Sequence, residues 1–174
     1  MIDMADLVQR KDLSYVKFTN VPYTGKARGK CPFVDCRGGM AYGEFKKGVR
    51  HGDWISYFDS GDVYEQGVWR NGKQEGDWLE YRHSGQLQFE WHHENNDLIG
   101  YTSYHKNGNV QTVEKYGVHR NKYWSNKRLE RKTLYKDGEE KGIIACNKDG
   151  TVDQARTTIT ELDVTSICRK SVYK

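Results

Sequence analysis

A chain of 174 residues is long enough for one ordinary domain or a short array of repeats. Only 36% of it is hydrophobic and its mean hydropathy is −0.94, which argues against a thick core buried from two sides. Eighteen glycines against two prolines, with twelve tyrosines and five tryptophans, exclude a mainly helical protein and describe aromatic strands joined by tight turns.

The net charge of +4 arises from 28 basic and 24 acidic residues spread along the chain. Such a solvated mixed-charge surface gives little support to a nucleic-acid groove. The N-terminal run from Met1 to Leu13 has no basic segment followed by an apolar one. Nowhere does the chain approach the roughly 20 apolar residues of a membrane span. Export by such a leader and membrane spanning are therefore disfavoured, a membrane partner is not expected, and a cytoplasmic location is. Within this run Asp3 to Lys11 reads as one short helix, with Asp3 as N-cap and Ala5, Leu7 and Val8 forming a partial apolar stripe. The competing reading is a frayed terminus.

Cysteines stand at 31, 36, 146 and 168. Without a leader they are expected as reduced thiols rather than a disulfide framework. The gap between Cys31 and Cys36 lies within the range used at zinc sites, but no second close Cys or His pair follows. Neither a metal nor a cofactor is expected.

From residue 42 the sequence repeats itself. Gly48-Val-Arg-His-Gly52-Asp-Trp54-Ile-Ser-Tyr57-Phe-Asp-Ser-Gly61 aligns with Gly72-Lys-Gln-Glu-Gly76-Asp-Trp78-Leu-Glu-Tyr81-Arg-His-Ser-Gly85, every glycine in register. A third unit, Asn96-Asp-Leu-Ile-Gly100-Tyr-Thr-Ser-Tyr104-His-Lys-Asn-Gly108, keeps two glycines and puts asparagine, the next best residue for positive φ, in place of the first. The fourth is faint around Tyr116 to Trp124, with Asn121 proposed for a glycine position. The fifth recovers over Tyr135 to Gly150.

Between the glycines, short aromatic and β-branched runs alternate with period two, as in Val63, Glu65, Gly67, Trp69. Each unit is thus a β-hairpin of about 24 residues, and since one hairpin is marginal in water, neighbours must stack. The expected fold is all-β: an elongated, twisted, single-layer sheet of antiparallel hairpins. Residues 1–20 form one cap, 21–150 about five repeats, and 151–174 closing strands rich in β-branched residues.

Tyr42-Gly-Glu-Phe-Lys-Lys-Gly48-Val-Arg-His-Gly52 and Tyr64-Glu-Gln-Gly67-Val-Trp-Arg-Asn-Gly72-Lys-Gln-Glu-Gly76 resemble MORN repeats, in the variant found in bacterial YwqK-type antitoxin proteins. Val21-Pro-Tyr-Thr-Gly-Lys-Ala27 is similar to the segment by which that family enters its first repeat. The resemblance is specific over about 21–110, weak over 111–133 and moderate to 150. It implies a sheet that binds something, with no catalytic residues to carry over. For the bacterial variant the implied partner is a cognate protein toxin held in a heteromeric complex. For MORN repeats in general it is a scaffold partner or an anionic lipid head group.

The glycines lie in no phosphate-binding context, since neither GxGxxG nor GxxxxGK[ST] joins a strand to a helix. No serine or cysteine stands in a nucleophile elbow, and an enzyme is not expected. His51 aligns with Glu75 and is expected as a solvated turn residue. Phe89-Glu-Trp-His-His-Glu94 departs from the repeat: Trp91 replaces the aligned Gly43 and Gly67, and His93 replaces Phe45 and Trp69. His119-Arg-Asn-Lys-Tyr-Trp124 departs too, with two cations beside two aromatics. Aromatic residues and arginine are enriched at binding hot spots, so Trp91, His92, Arg120, Tyr123 and Trp124 are the expected centre of a partner interface. For Trp91 the competing reading is filling of space inside the sheet. An open sheet edge leaves pairing with a second copy in play.

Overall fold

The computed structural model describes residues 1–33, 39–136, 139–159 and 167–168. Among these, one 3-10 turn and fourteen strands are formed. The strands are β1 (Ile2–Asp3), β2 (Leu7–Arg10), β3 (Leu13–Val16), β4 (Gly25–Lys30), β5 (Met40–Lys46), β6 (Val49–Tyr57), β7 (Val63–Arg70) and β8 (Lys73–Tyr81). They continue as β9 (Leu87–Glu94), β10 (Asp97–Tyr104), β11 (Val110–Lys115), β12 (His119–Tyr123), β13 (Leu129–Lys136) and β14 (Glu139–Ala145). Twelve of them follow one another in a single, mostly antiparallel sheet, β1 lying parallel beside β4, while β2 and β3 pair separately. The all-β hairpin architecture expected from the repeats is what the chain adopts.

One turn recurs five times. Phe58 N–H donates to the Asp62 carbonyl and Gly61 N–H returns to that of Phe58, both at 2.9 Å. The same two bonds form at Arg82/Gly85/Gln86, His105/Gly108/Asn109, Trp124/Lys127/Arg128 and Asn147/Gly150/Thr151. Gly61 and its counterparts Gly85, Gly108, Lys127 and Gly150 have φ between 68° and 89°, in the left-handed region. The fourth repeat is therefore intact, but its interval from the third falls to 19 residues, where the first two are 24 apart. Asn121 pairs with Val113 and Lys132 in mid-strand, and Lys127 occupies the turn position that glycine fills in the other repeats.

The chain divides into two compact units, Met1–Leu87 with Trp91–Leu98, and Gln88–Glu90 with Ile99–Lys174. In the first, the buried face carries an edge-to-face ladder of rings. Phe45, Trp54, Trp69 and Trp78 follow one another at centroid separations of 6.0, 6.5 and 5.4 Å, a geometry that suits the ring quadrupoles. Glycine makes room for it: a Cβ on Gly43 would fall inside the Trp54 ring, and one on Gly67 inside that of Trp78.

The N-terminal segment covers this face rather than extending the stack as a helix. Asp3 is the predicted N-cap, accepting a 2.8 Å bond from Ala5 N–H, but the turn it starts is a single 3-10 turn, Met4–Asp6, followed by the β2–β3 hairpin. Met4 and Leu7 drop into the ladder beside Ala27, Cys31 and Ala41. The helix fails because Leu7 and Val8 begin a strand register with Val16 and Tyr15, and Lys11, at φ 55°, makes the tight turn between.

The second unit has a smaller core of Leu129, Ile144, Cys146 and Cys168, with Tyr123, Val152, Ile159 and Ile167 against it. Cys146 and Cys168, both fully buried, form a disulfide across a Cα separation of 5.4 Å. None of the described cysteines is a free thiol, which overturns the expectation of reduced side chains. That expectation failed because folding brings together two cysteines 22 residues apart. Cys31 is likewise disulfide-bonded and is not available as a thiolate ligand. Cys36 lies outside the described residues. Over 151–159 the predicted closing strands reduce to one bridge, Cys146 to Val152, and 160–166 and 169–174 lie outside the described residues.

Candidate interaction surface

In the first unit the face opposite the rings is set by strand alternation. Tyr42, Ile55, Gln66 and Leu79 are each one residue from Gly43, Trp54, Gly67 and Trp78, and they align as Cα partners across β5 to β8. Ile55, Leu79 and the 40% exposed Val68 line a shallow depression of about 260 Å³, with Asp53 and Asp77 at its margin.

His51 and His92 in this unit have structural partners. His51 Nδ1 accepts from Asn71 N–H at 3.4 Å, and Glu75 Oε2 accepts from Asn95 N–H at 3.1 Å. Histidine and glutamate therefore exchange at aligned positions because both hold the turn of the following hairpin through an acceptor. His92 Nδ1 lies 2.7 Å from Asp77 Oδ1. His93, the next residue, points to the opposite side of the strand, so the two cannot chelate one ion together. Burial holds the His93 imidazole below its usual 6.5; a backbone bond to Trp91 opposes that shift and the neighbouring His92 adds to it.

Trp91 packs against the ring ladder, and its Nε1 donates to Glu80 Oε2 at 3.2 Å. Its departure from the repeat is one half of an exchange. Where Gly43 aligns with Gly67 and Trp54 with Trp78, the third repeat carries Trp91 and then Thr102, so the large and small residues have traded places.

In the second unit a charge pair joins the buried Glu114 to the half-exposed Arg120. Arg120 donates from Nε and an Nη to both oxygens of Glu114, at 2.7 and 2.8 Å, and Glu114 is 7% exposed. This bonding raises the Arg120 guanidinium, while burial and then the Glu114 carboxylate raise the Tyr101 hydroxyl. Tyr123 packs on the disulfide core, and Trp124 Nε1 donates to the Cys146 carbonyl at 3.4 Å with Lys148 Nζ 5.0 Å from its ring centre.

The five residues expected at an interface thus divide, Trp91 and His92 in the first unit and Arg120, Tyr123 and Trp124 in the second. Each also holds its own unit together. Side-chain exposure remains at 31% for His92 and 48% for Arg120.

Sequence reasoning overlooked a concentration of charge in the second unit. Between residues 115 and 136 stand Lys115, Arg120, Lys122, Lys127, Arg128, Arg131, Lys132 and Lys136 against Glu130 alone. The balanced total hides this run, and a count by strand would have found it. Lys115, His119 and Lys132 share one face: Lys115 is the Cα partner of His119, and Lys132 that of Asn121, two residues further along β12. Burial lowers the His119 imidazole, and Lys132 and Lys115 lower it further. No protein-family model matches this chain, and no curated protein matches it.

Proposed function

We propose that the chain is a non-enzymatic binding protein, an antitoxin or immunity protein that neutralises a cognate protein toxin by covering its active surface. The observation that carries the binding reading is the first unit's sheet, packed on its ring-bearing side and open on the other. There the row Tyr42, Ile55, Gln66, Leu79 borders a shallow apolar depression rather than an enclosed cleft, a shape suited to another protein's surface more than to a small substrate. The toxin as partner rests on the resemblance to YwqK-type proteins. The Cys146–Cys168 disulfide supports an encounter in an oxidising compartment over the cytoplasm.

The test is co-expression with the product of the adjacent gene. Growth rescue together with a co-purifying complex is the expected result. Absence of both would sink the reading, and charged substitutions at Val68 and Leu79 that leave rescue unchanged would remove this face from it.

A second reading, a MORN-type scaffold or membrane-surface adaptor for anionic head groups, is favoured by the basic run from Lys115 to Lys136. Co-sedimentation with liposomes that rises with anionic lipid and falls with salt would support it over the first.

A further inference from the structure

We propose that β11, β12 and β13 dock an acidic segment of the partner protein across Lys115, His119 and Lys132. This inference rests on the binding reading above and names the partner's chemistry.

Strand alternation puts the three side chains on one face, on three successive strands. With strands about 4.8 Å apart the patch is about 10 Å wide, the width of a single peptide segment with its side chains. Neither Lys115 nor Lys132 has a carboxylate partner among the described residues, whereas Arg120 holds Glu114 and Lys122 holds Glu130 at 3.1 Å. His119 faces Lys115 from β11 and Lys132 from β13, so every charge acting on it is positive, and its imidazole is held low by them as well as by burial. The two lysines repel one another across the imidazole, and a bound carboxylate would relieve both. Tyr116 and Val118, in the β11–β12 turn, are 44% and 46% exposed and offer apolar contact beside the charges.

The neighbouring strand favours a narrow acidic peptide over a broad anionic surface. On β14 the exposed Glu140 stands opposite Tyr135, and Glu139, opposite Lys136, is paired with Lys141 at 2.6 Å. A flat bilayer or a long phosphate backbone laid across β13 would also meet these carboxylates. A segment confined to the three basic strands would not.

The experiment compares the full chain, K115E/K132E, and a charge-matched control, K46E/K73E, whose lysines are exposed and lie on β5 and β8. The probes are a fluorescein-labelled Glu-rich peptide, phosphatidylglycerol vesicles and a DNA duplex, at low and high salt. The expected result is salt-sensitive peptide binding that K115E/K132E weakens about tenfold and the control changes by about twofold or less. A melting temperature for K115E/K132E no lower than wild type would show that the loss is not unfolding, and K115Q/K132Q provides a milder variant should it fall.

Equal loss in the control would overturn the proposal. So would vesicle or duplex binding stronger than peptide binding and abolished by K115E/K132E, or salt-sensitive self-association removed by that variant, which would make a second copy the occupant. In the toxin assay, rescue by wild type and K115E/K132E alike would remove this face while the binding reading stands. Rescue by neither would overturn both.

Discussion

Lys127 is a residue whose local backbone disagrees with its identity. Its φ of 68° belongs to the turn position that Gly61, Gly85, Gly108 and Gly150 fill in the other repeats. A Cβ in the left-handed region costs about 1 kcal/mol, which glycine avoids. Lys127→Gly is expected to stabilise the chain by about that amount, read as a higher urea midpoint with an unchanged slope. Two imidazoles give a second prediction. His93 and His119 both sit below the usual 6.5, each chiefly through burial. The unfolded chain then takes up protons more readily than the folded one. Their contribution to stability is present in full above pH 6.5 and is lost as pH falls through 6.5 to the folded values. The melting temperature should therefore drop between pH 7.5 and pH 5, and the drop should shrink when His93→Phe, which restores the residue type of Phe45, is combined with His119→Gln. An unchanged profile in that variant would assign the acid sensitivity elsewhere.

At the scale of the hairpin the unit of design is a ring laid over a glycine. Gly67→Ala places a methyl group inside the Trp78 ring. The ring must then shift within a ladder where Trp69 is 5.4 Å away, a cost of about 1–3 kcal/mol. The third repeat suggests how to recover part of it. Gly67→Trp with Trp78→Thr reproduces the Trp91 and Thr102 arrangement, and the pair should be less destabilised than the sum of its singles in a double-mutant cycle. This lock explains which parts of the fold were legible. Turn glycines at 61, 85, 108 and 150 announce themselves because positive φ selects glycine. The fourth repeat was obscured because Lys127 stands in that turn and its interval is shorter. Strand β2 falls inside the stretch Asp3 to Lys11 that reads as a helix, because Lys11 makes the turn after it without glycine. Trp91 was legible as a departure, but its meaning depended on reading Thr102 in the same alignment. The basic face stayed hidden because side chains on three different strands share it only after pairing.

On the scale of the whole molecule, an array of hairpins must finish its edges, because unpaired backbone groups invite further strands. At one end β1 lies along β4, Ile2 opposite Ala27, and Gly29 is there because a side chain would run into Asp3. At the other, Thr158 Oγ1 accepts from Ile143 N–H at 2.8 Å and Thr157 Oγ1 from Ala145 N–H at 3.0 Å, so two hydroxyls take the place of a fifteenth strand on β14. These hydroxyls belong to a segment held by little apolar surface of its own: Ile159 packed on Gly142, Val152, and the buried Cys168. The disulfide carries that attachment. Closing a 22-residue loop removes about 3 kcal/mol of chain entropy from the unfolded state on the loop-closure account. Cys146→Ser with Cys168→Ser is therefore expected to lower unfolding free energy by about that much. It should also speed hydrogen exchange at Ile143 and Ala145, whose partners Thr157 and Thr158 would be tethered at one end only. Amides of β5 to β8 in the same variant should exchange as in the wild type under native conditions, since their protection comes from the ring ladder. Unchanged exchange at Ile143 and Ala145 would mean that the threonine contacts hold the edge without the covalent link.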